Sequence, residues 1–172
     1  MRMSGLALLL IVCGSAVATE TTKPAKPPDP AYAQIEDRPG LPRVLLIGDS
    51  VSIGYTLAVR KELDGKANVH RPPQNCGSSA VGLANLERWL GNGRWDVIHF
   101  NHGLHDLPRI AVEVMTKLSV QIDDLCAFAT PQIDKIQEPG NPHFKAKGTA
   151  VLVREIARVI EAALPVARTT AK

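Results

Sequence analysis

The strongest constraint on the fold is an apolar run, Val44 to Ile47, that follows Arg43 and ends at Gly48. A continuous apolar run is typical of a strand buried on both faces of a parallel sheet. Shorter strands are predicted at 67–70, 95–100 and 120–122, and the predicted helices cover 50–63, 83–90, 107–118 and 152–163. This alternation predicts an α/β domain, a three-layer α/β/α sandwich around a small parallel sheet of four strands with right-handed crossovers.

The first 18 residues have the pattern of an export signal. A basic start at Arg2 precedes the unbroken apolar run Gly5–Cys13, and small residues at 16–18 form a cleavage site. The apolar run is shorter than the roughly 20 residues that span a bilayer. We therefore expect cleavage after Ala18, no membrane span in the mature chain, and a periplasmic or extracellular location. Two alternatives are a lipid anchor at Cys13 and an N-terminal helix of the mature fold.

The remaining chain divides into three parts. Residues 19–42 contain six prolines among polar residues and predict a disordered, semi-extended spacer. Folding is expected to begin near Arg43, so that one domain covers 43–164, and residues 165–172 are expected to form a flexible tail. A body of about 120 residues is near the common size for one hydrophobic core.

Charge and residue spacing exclude several classes of function. The net charge is only +3, with acidic and basic residues interleaved, so no nucleic-acid partner is expected. His102 and His105 lack carboxylate or cysteine neighbours at ligand spacing, so neither a metal nor another cofactor is expected.

Export permits a disulfide, but Cys76 and Cys126 follow strands that the topology separates. Two free thiols are favoured.

Polar clusters follow the predicted strands. They occupy 48–54, 75–79 and 101–106, and a fourth cluster at 140–144 precedes the last helix. In an open α/β sheet, ligands bind beyond the carboxyl ends of the strands. The four clusters are therefore expected to converge at one edge of the sheet, and a serine at a helix start can there meet a histidine from another loop.

These clusters resemble the sequence blocks of the SGNH (GDSL-like) hydrolases, a family of esterases with a flavodoxin-like fold. Gly48-Asp49-Ser50 matches the nucleophile block, Gly77 the second block, and Gly103-Leu-His105-Asp106 the third. His143 with Phe144 and Gly148 matches the closing block. The chain is a short version of such proteins, because a middle strand and helix are missing after the third block.

The resemblance implies a role for each matching residue. Ser50 would be the nucleophile and His143 the general base. The amides of Ser50 and Gly77 would form the oxyanion hole, together with His105, which stands where the family has asparagine. The family's triad aspartate is replaced by Gly140, so a backbone carbonyl, Asn141 or Glu138 would have to orient the histidine. Asp49, Asp106 and Asn141 are the expected supporting residues.

The expected activity is hydrolysis of carboxylic esters of small molecules or carbohydrates, including O-acetyl groups. One alternative is an inactive relative that binds a ligand or partner, or is a remnant. Another is an anion binder that uses Gly48 to Gly54 as a phosphate loop. Each residue also has a purely structural interpretation: Asp49 or Ser50 as a helix N-cap, Gly77 as a turn residue, Asp106 as a cap and His143 as a surface residue.

Overall fold

The computed structural model describes residues 27–102, 116, 119 and 121–165. Three parallel strands in the order β2-β1-β3 form its sheet: β1 is Arg43–Gly48, β2 is Asn68–His70 and β3 is Val97–Asn101. The helices within these ranges are α1 (Ser50–Glu62), α2 (Ser79–Leu90), α3 (Leu125–Ala129), α4 (Ile133–Ile136) and α5 (Ala146–Ala163), with 3-10 turns at Pro30–Tyr32 and Thr130–Gln132. No helix of the described part is long and apolar enough to cross a membrane.

Strand β1 lies at the centre of the sheet and is buried on both faces. Val44 and Leu46 pack into the larger core, which α1 and α5 cover. Leu45 and Ile47 point to the other face and pack with Trp89 of α2. The α/β class and the parallel sheet are confirmed, and helices on both faces are compatible with a three-layer sandwich.

The sheet differs from the prediction after β3. Gln121 and Ile122 are not in a strand, and the side chain of Ile122 is exposed. The prediction of a strand there was wrong for these two residues, because an alternation of three residues is too short to distinguish a strand from a loop. Val120 and most of the predicted helix 107–118 lie outside the described residues. The described sheet therefore has three strands where four were expected.

The folded body begins before Arg43. Residues 27–42 were predicted to be disordered, yet Ala31 is buried in a 3-10 turn. The side chain of Asn68 holds the segment: its Oδ1 accepts from Arg38 N–H at 2.9 Å, and its Nδ2 donates to the carbonyls of Arg38 at 3.0 Å and Leu41 at 3.3 Å. Composition misled the prediction here, because the segment is ordered by partners on the domain and not by its own apolar residues. Residues 1–26, with the predicted signal, and 166–172 lie outside the described part.

The two cysteines of the domain are free. Cys76 is buried under α2 and Cys126 is exposed on α3. Burial raises the pKa of the Cys76 thiol above its ordinary value. The expectation of two free thiols is confirmed, and Cys76 acts as a small apolar core residue.

The docked segment gives a stability prediction. Asn68→Ala removes the three hydrogen bonds to Arg38 and Leu41, so the free energy of unfolding should fall by about 1–3 kcal/mol. Limited proteolysis should also cut within 27–42 more readily than in the parent protein. Asn92→Ala, at an exposed loop position, is the matched control and should change neither quantity. Equal stability and equal cleavage in the two variants would mean that the segment is not held by Asn68.

Candidate active site

Ser50 is placed by the turn that joins β1 to α1. It is the first residue of α1, and Asp49 is the N-cap, whose carboxylate accepts from the N–H of Val51 at 2.9 Å. This hydrogen bond confirms the structural role of Asp49 as a cap. The residue is buried, with 1% of its surface exposed. The half-buried Ser50 lies in the positive field of the helix N-terminus, where the first N–H groups have no partner within the helix.

His143 comes from a tight loop between α4 and α5. Gln137 and Phe144 pair across the loop, and the N–H of Glu138 donates to the carbonyl of His143 at 3.3 Å. Gly140 lies in this turn at φ +68°, a left-handed conformation that favours glycine. The position where the resemblance expects an aspartate is therefore a turn position. The loop brings His143 Nε2 to 3.0 Å from Ser50 Oγ.

Asn141 orients the imidazole of His143. Asn141 Oδ1 lies 2.9 Å from the backbone N of His143 and 2.8 Å from its Nδ1. The backbone N–H can only donate, so the side-chain atom facing it must be the amide oxygen. That oxygen in turn requires a hydrogen on Nδ1. In the neutral ring Nε2 then carries the lone pair, and it faces the hydroxyl of Ser50. Of the three orienting groups considered from the sequence, the geometry favours Asn141.

Gly77 lies near β3 through a contact that the sequence did not indicate. Its carbonyl accepts from His102 Nδ1 at 2.7 Å, and its N–H donates to Asn75 Oδ1 at 2.9 Å. Gly77 has φ +57°, a left-handed conformation that favours glycine. This turn and the hydrogen bonds with Asn75 and His102 hold the segment in place. The N–H expected in an oxyanion hole is thus engaged with Asn75 in this structure.

Arg71, like His102, was given no role by the sequence patterns. It is 2% exposed, and Nη2 donates to the carbonyls of Gly48 at 3.3 Å and Gln74 at 3.4 Å. Nη1 donates to Thr56 Oγ1 at 2.8 Å and to Ser52 Oγ at 3.4 Å. Burial lowers the pKa of the guanidinium. Arg71 therefore connects the strand end before Ser50 to the loop that leads to Gly77. Its only sequence signal was a charge directly after a buried strand.

A small cavity opens beside the serine and histidine. Its volume is about 60 Å³, and its walls come from α1, α5 and the histidine loop: Ser50, Val51, Gly54, Tyr55, His143, Phe144, Thr149 and Leu152. Burial raises the pKa of Tyr55 to about 12, because its hydroxyl is enclosed away from solvent. Most of the lining is apolar, and Ser50, His143 and Thr149 supply its polar groups.

Two predicted site residues, His105 and Asp106, fall in the stretch 103–115, outside the described residues. Asn101, which ends β3, lies next to the site through its backbone, because its carbonyl accepts from the N–H of Asp49 at 3.3 Å. In the part of the chain that the structure describes, no group of three or more possible ligands could hold a metal ion.

No known protein family matches this chain, and no curated protein matches it in sequence. The resemblance to SGNH hydrolases therefore stays a prediction from the sequence blocks.

The hydrogen bonds of Asn141 predict the tautomer of His143. Nitrogen-15 NMR of the neutral ring should show a protonated Nδ1 and an unprotonated Nε2. Asn141→Ala removes the acceptor for Nδ1–H, so the Nε2-protonated form should become populated. Asn75→Ala is the matched control, since it changes an asparagine that does not touch His143, and should leave the tautomer as it is. A parent ring protonated mainly on Nε2 would contradict the geometry.

Proposed function

We propose that the chain is an exported serine esterase of the SGNH type, which hydrolyses carboxylic esters and acts outside the cytoplasm. The observation that carries the proposal is the relay of Ser50, His143 and Asn141, with 3.0 Å between Ser50 Oγ and Nε2 and 2.8 Å between Nδ1 and Asn141 Oδ1. A nucleophile within hydrogen-bond reach of a base that a third group orients is the arrangement that acyl transfer requires. The export pattern of residues 1–18 supports a location in the periplasm or outside the cell.

In both halves of the reaction a proton is transferred to and from His143 Nε2, while Asn141 only orients the ring. His143 Nε2 takes the proton of Ser50 as Oγ attacks the ester carbonyl, and then gives it to the departing alcohol. Water, activated by the same nitrogen, hydrolyses the acyl-enzyme and restores Ser50. Asn141 is neutral, so it orients the imidazolium without the charge stabilisation that an aspartate provides. Asn141→Asp should therefore support turnover at least as well as the parent residue.

The oxyanion of the tetrahedral intermediate needs donors near Ser50. The N–H of Ser50 belongs to the first turn of α1, where the helix dipole favours negative charge. The N–H of Gly77 is the second proposed donor, and Asn75 must release it when the intermediate forms. His105 is the third proposed donor, through an imidazole N–H.

Two observations favour a second function. The engagement of the Gly77 N–H by Asn75, together with Gly140 in place of an acidic residue, fits an SGNH-like binding protein without catalysis. Such a protein would keep the relay geometry as a structural remnant and would bind its ligand without turnover.

Hydrolysis of p-nitrophenyl acetate separates the two functions. The purified mature protein should release nitrophenol above the uncatalysed rate, and Ser50→Ala and His143→Ala should each lower kcat to the background, because the relay acts as a unit. Asn141→Ala should retain a residual rate about 10- to 1,000-fold below the parent, since the base remains but its orientation is lost. Ser119→Ala, at an exposed serine, is the control and should behave as the parent. A folded parent no faster than Ser50→Ala would favour the binding protein.

The size of the cavity predicts the acyl group. A volume of about 60 Å³ beside Ser50 fits an acetyl group better than a longer chain. The value of kcat/KM for nitrophenyl esters should fall at least about tenfold from acetate to hexanoate, because a longer acyl chain does not fit the cavity without displacing the packed side chains around it. Thr149→Ala widens the cavity and should shift the preference towards butyrate. Lys147→Ala, an exposed position on the same helix, should not. A parent that prefers hexanoate would contradict this acyl site.

A further inference from the structure

A second cavity lies on the α2 side of the sheet and shares no lining residue with the cavity at Ser50. Its volume is about 360 Å³, within the range of roughly 300–1,000 Å³ that small-molecule sites occupy. Its walls come from the segment before β1, β1 itself, the end of β2 and the following loop, the last turn of α2, and the loop before β3. We call this cavity the tryptophan cleft, because it is lined by both tryptophans of the chain.

The lining of the tryptophan cleft is basic. It contains three arginines and one histidine but no acidic residue. Asp37, which lies outside the lining, partly balances this charge at 2.8 Å from Arg43 Nε and 2.6 Å from His70 Nε2. Arg88 has only neutral partners among the described residues, the amide oxygens of Gln74 and Asn85, each at 2.8 Å. A planar guanidinium without a carboxylate partner can bind a ligand carboxylate through two parallel hydrogen bonds.

Flat apolar surfaces adjoin these charges. The indole of Trp95 is half-buried and fixed, since its Nε1 donates to the carbonyl of Leu90 at 3.0 Å and Arg43 Cζ lies 4.1 Å from the ring centroid. The ring of His70 meets the same indole edge-on, with centroids 5.3 Å apart. The exposed Pro73 adds further rigid surface. Such surfaces pack well against the apolar C–H face of a sugar ring, whose other edges need polar partners.

We propose that the tryptophan cleft binds an anionic saccharide, with a sugar ring packed on Trp95 and Pro73 and its carboxylate held by Arg88. Gln34 and Gln74 provide amide donors and acceptors for the ring hydroxyls. Arg71 forms the back wall and at the same time holds the carbonyl of Gly48, so the cleft is joined to the Ser50 turn through one buried side chain. The inference does not depend on the proposed esterase activity.

Intrinsic fluorescence reports occupancy directly, because both tryptophans line the cleft. Trigalacturonate should produce a saturable change in tryptophan emission, and calorimetry should give the same Kd. Arg88→Gln should raise that Kd about tenfold or more, because a charge-assisted hydrogen bond is lost. Arg154→Gln is the matched control: it also removes one arginine charge, from an exposed site on α5, and should leave Kd unchanged. Ser50→Ala should bind as tightly as the parent.

Other probes test the parts of the proposal separately. The neutral galactose trisaccharide should bind at least about tenfold more weakly than trigalacturonate, and inorganic phosphate should bind weakly and compete poorly. Equal binding of the neutral sugar would overturn the role of the carboxylate, and phosphate binding as tight as trigalacturonate would overturn the role of the sugar ring. The proposal would be overturned if the emission showed no saturable change up to about 10 mM trigalacturonate, because a Kd above that value is too weak for a specific site. It would also be overturned if Arg88→Gln and Arg154→Gln raised the Kd equally. Loss of esterase activity in Ser50→Ala with intact binding would separate the two sites.

Discussion

The close approach of three chain segments at Gly48 is the constraint on which the candidate site depends. The carbonyl of Gly48 accepts from the N–H of Cys76 at 3.1 Å and from Arg71. A Cβ on Gly48 would lie 2.5 Å from the Cβ of Ser52 and 2.9 Å from the carbonyl of Asn101, well inside van der Waals contact. Only glycine therefore allows the end of β1 to pack against both α1 and the end of β3. This packing sets the start of α1 and hence the position of Ser50.

The candidate chemistry also depends on two short loops, one that positions Ser50 and one that positions His143. Asp49 caps α1 and keeps the Ser50 hydroxyl at the helix start, while the turn at Gly140 aims His143 across the sheet edge. The carboxamide of Asn141 takes the place of a charged third group, and its contact with a backbone N–H removes the ambiguity of an amide that could flip. A neutral orienting group fixes the tautomer but adds no charge to stabilise the imidazolium. The proposed enzyme should therefore work with a well-oriented but less strongly assisted base.

The sequence indicated the parts of the structure that local patterns determine. The apolar run of β1, the helix after Ser50 and the final amphipathic helix were found because burial and periodicity are visible in the residues themselves. Arg71 and His102 were missed because their importance lies in contacts with carbonyls far along the chain. Residues 27–42 were misjudged for a similar reason: Asn68, and not local composition, orders them. Helix α3 has five residues and helix α4 has four. Both were missed because so few residues do not show a helical period.

The central claim is that Ser50 carries the acyl group during ester hydrolysis. Its most direct test is acid quenching of the protein during turnover of p-nitrophenyl acetate, followed by mass spectrometry of its peptides. One acetyl group is expected on the peptide that contains Ser50, absent from Ser50→Ala and accumulating more slowly in His143→Ala. Turnover without acetylation of Ser50, or acetylation confined to another residue, would contradict this claim.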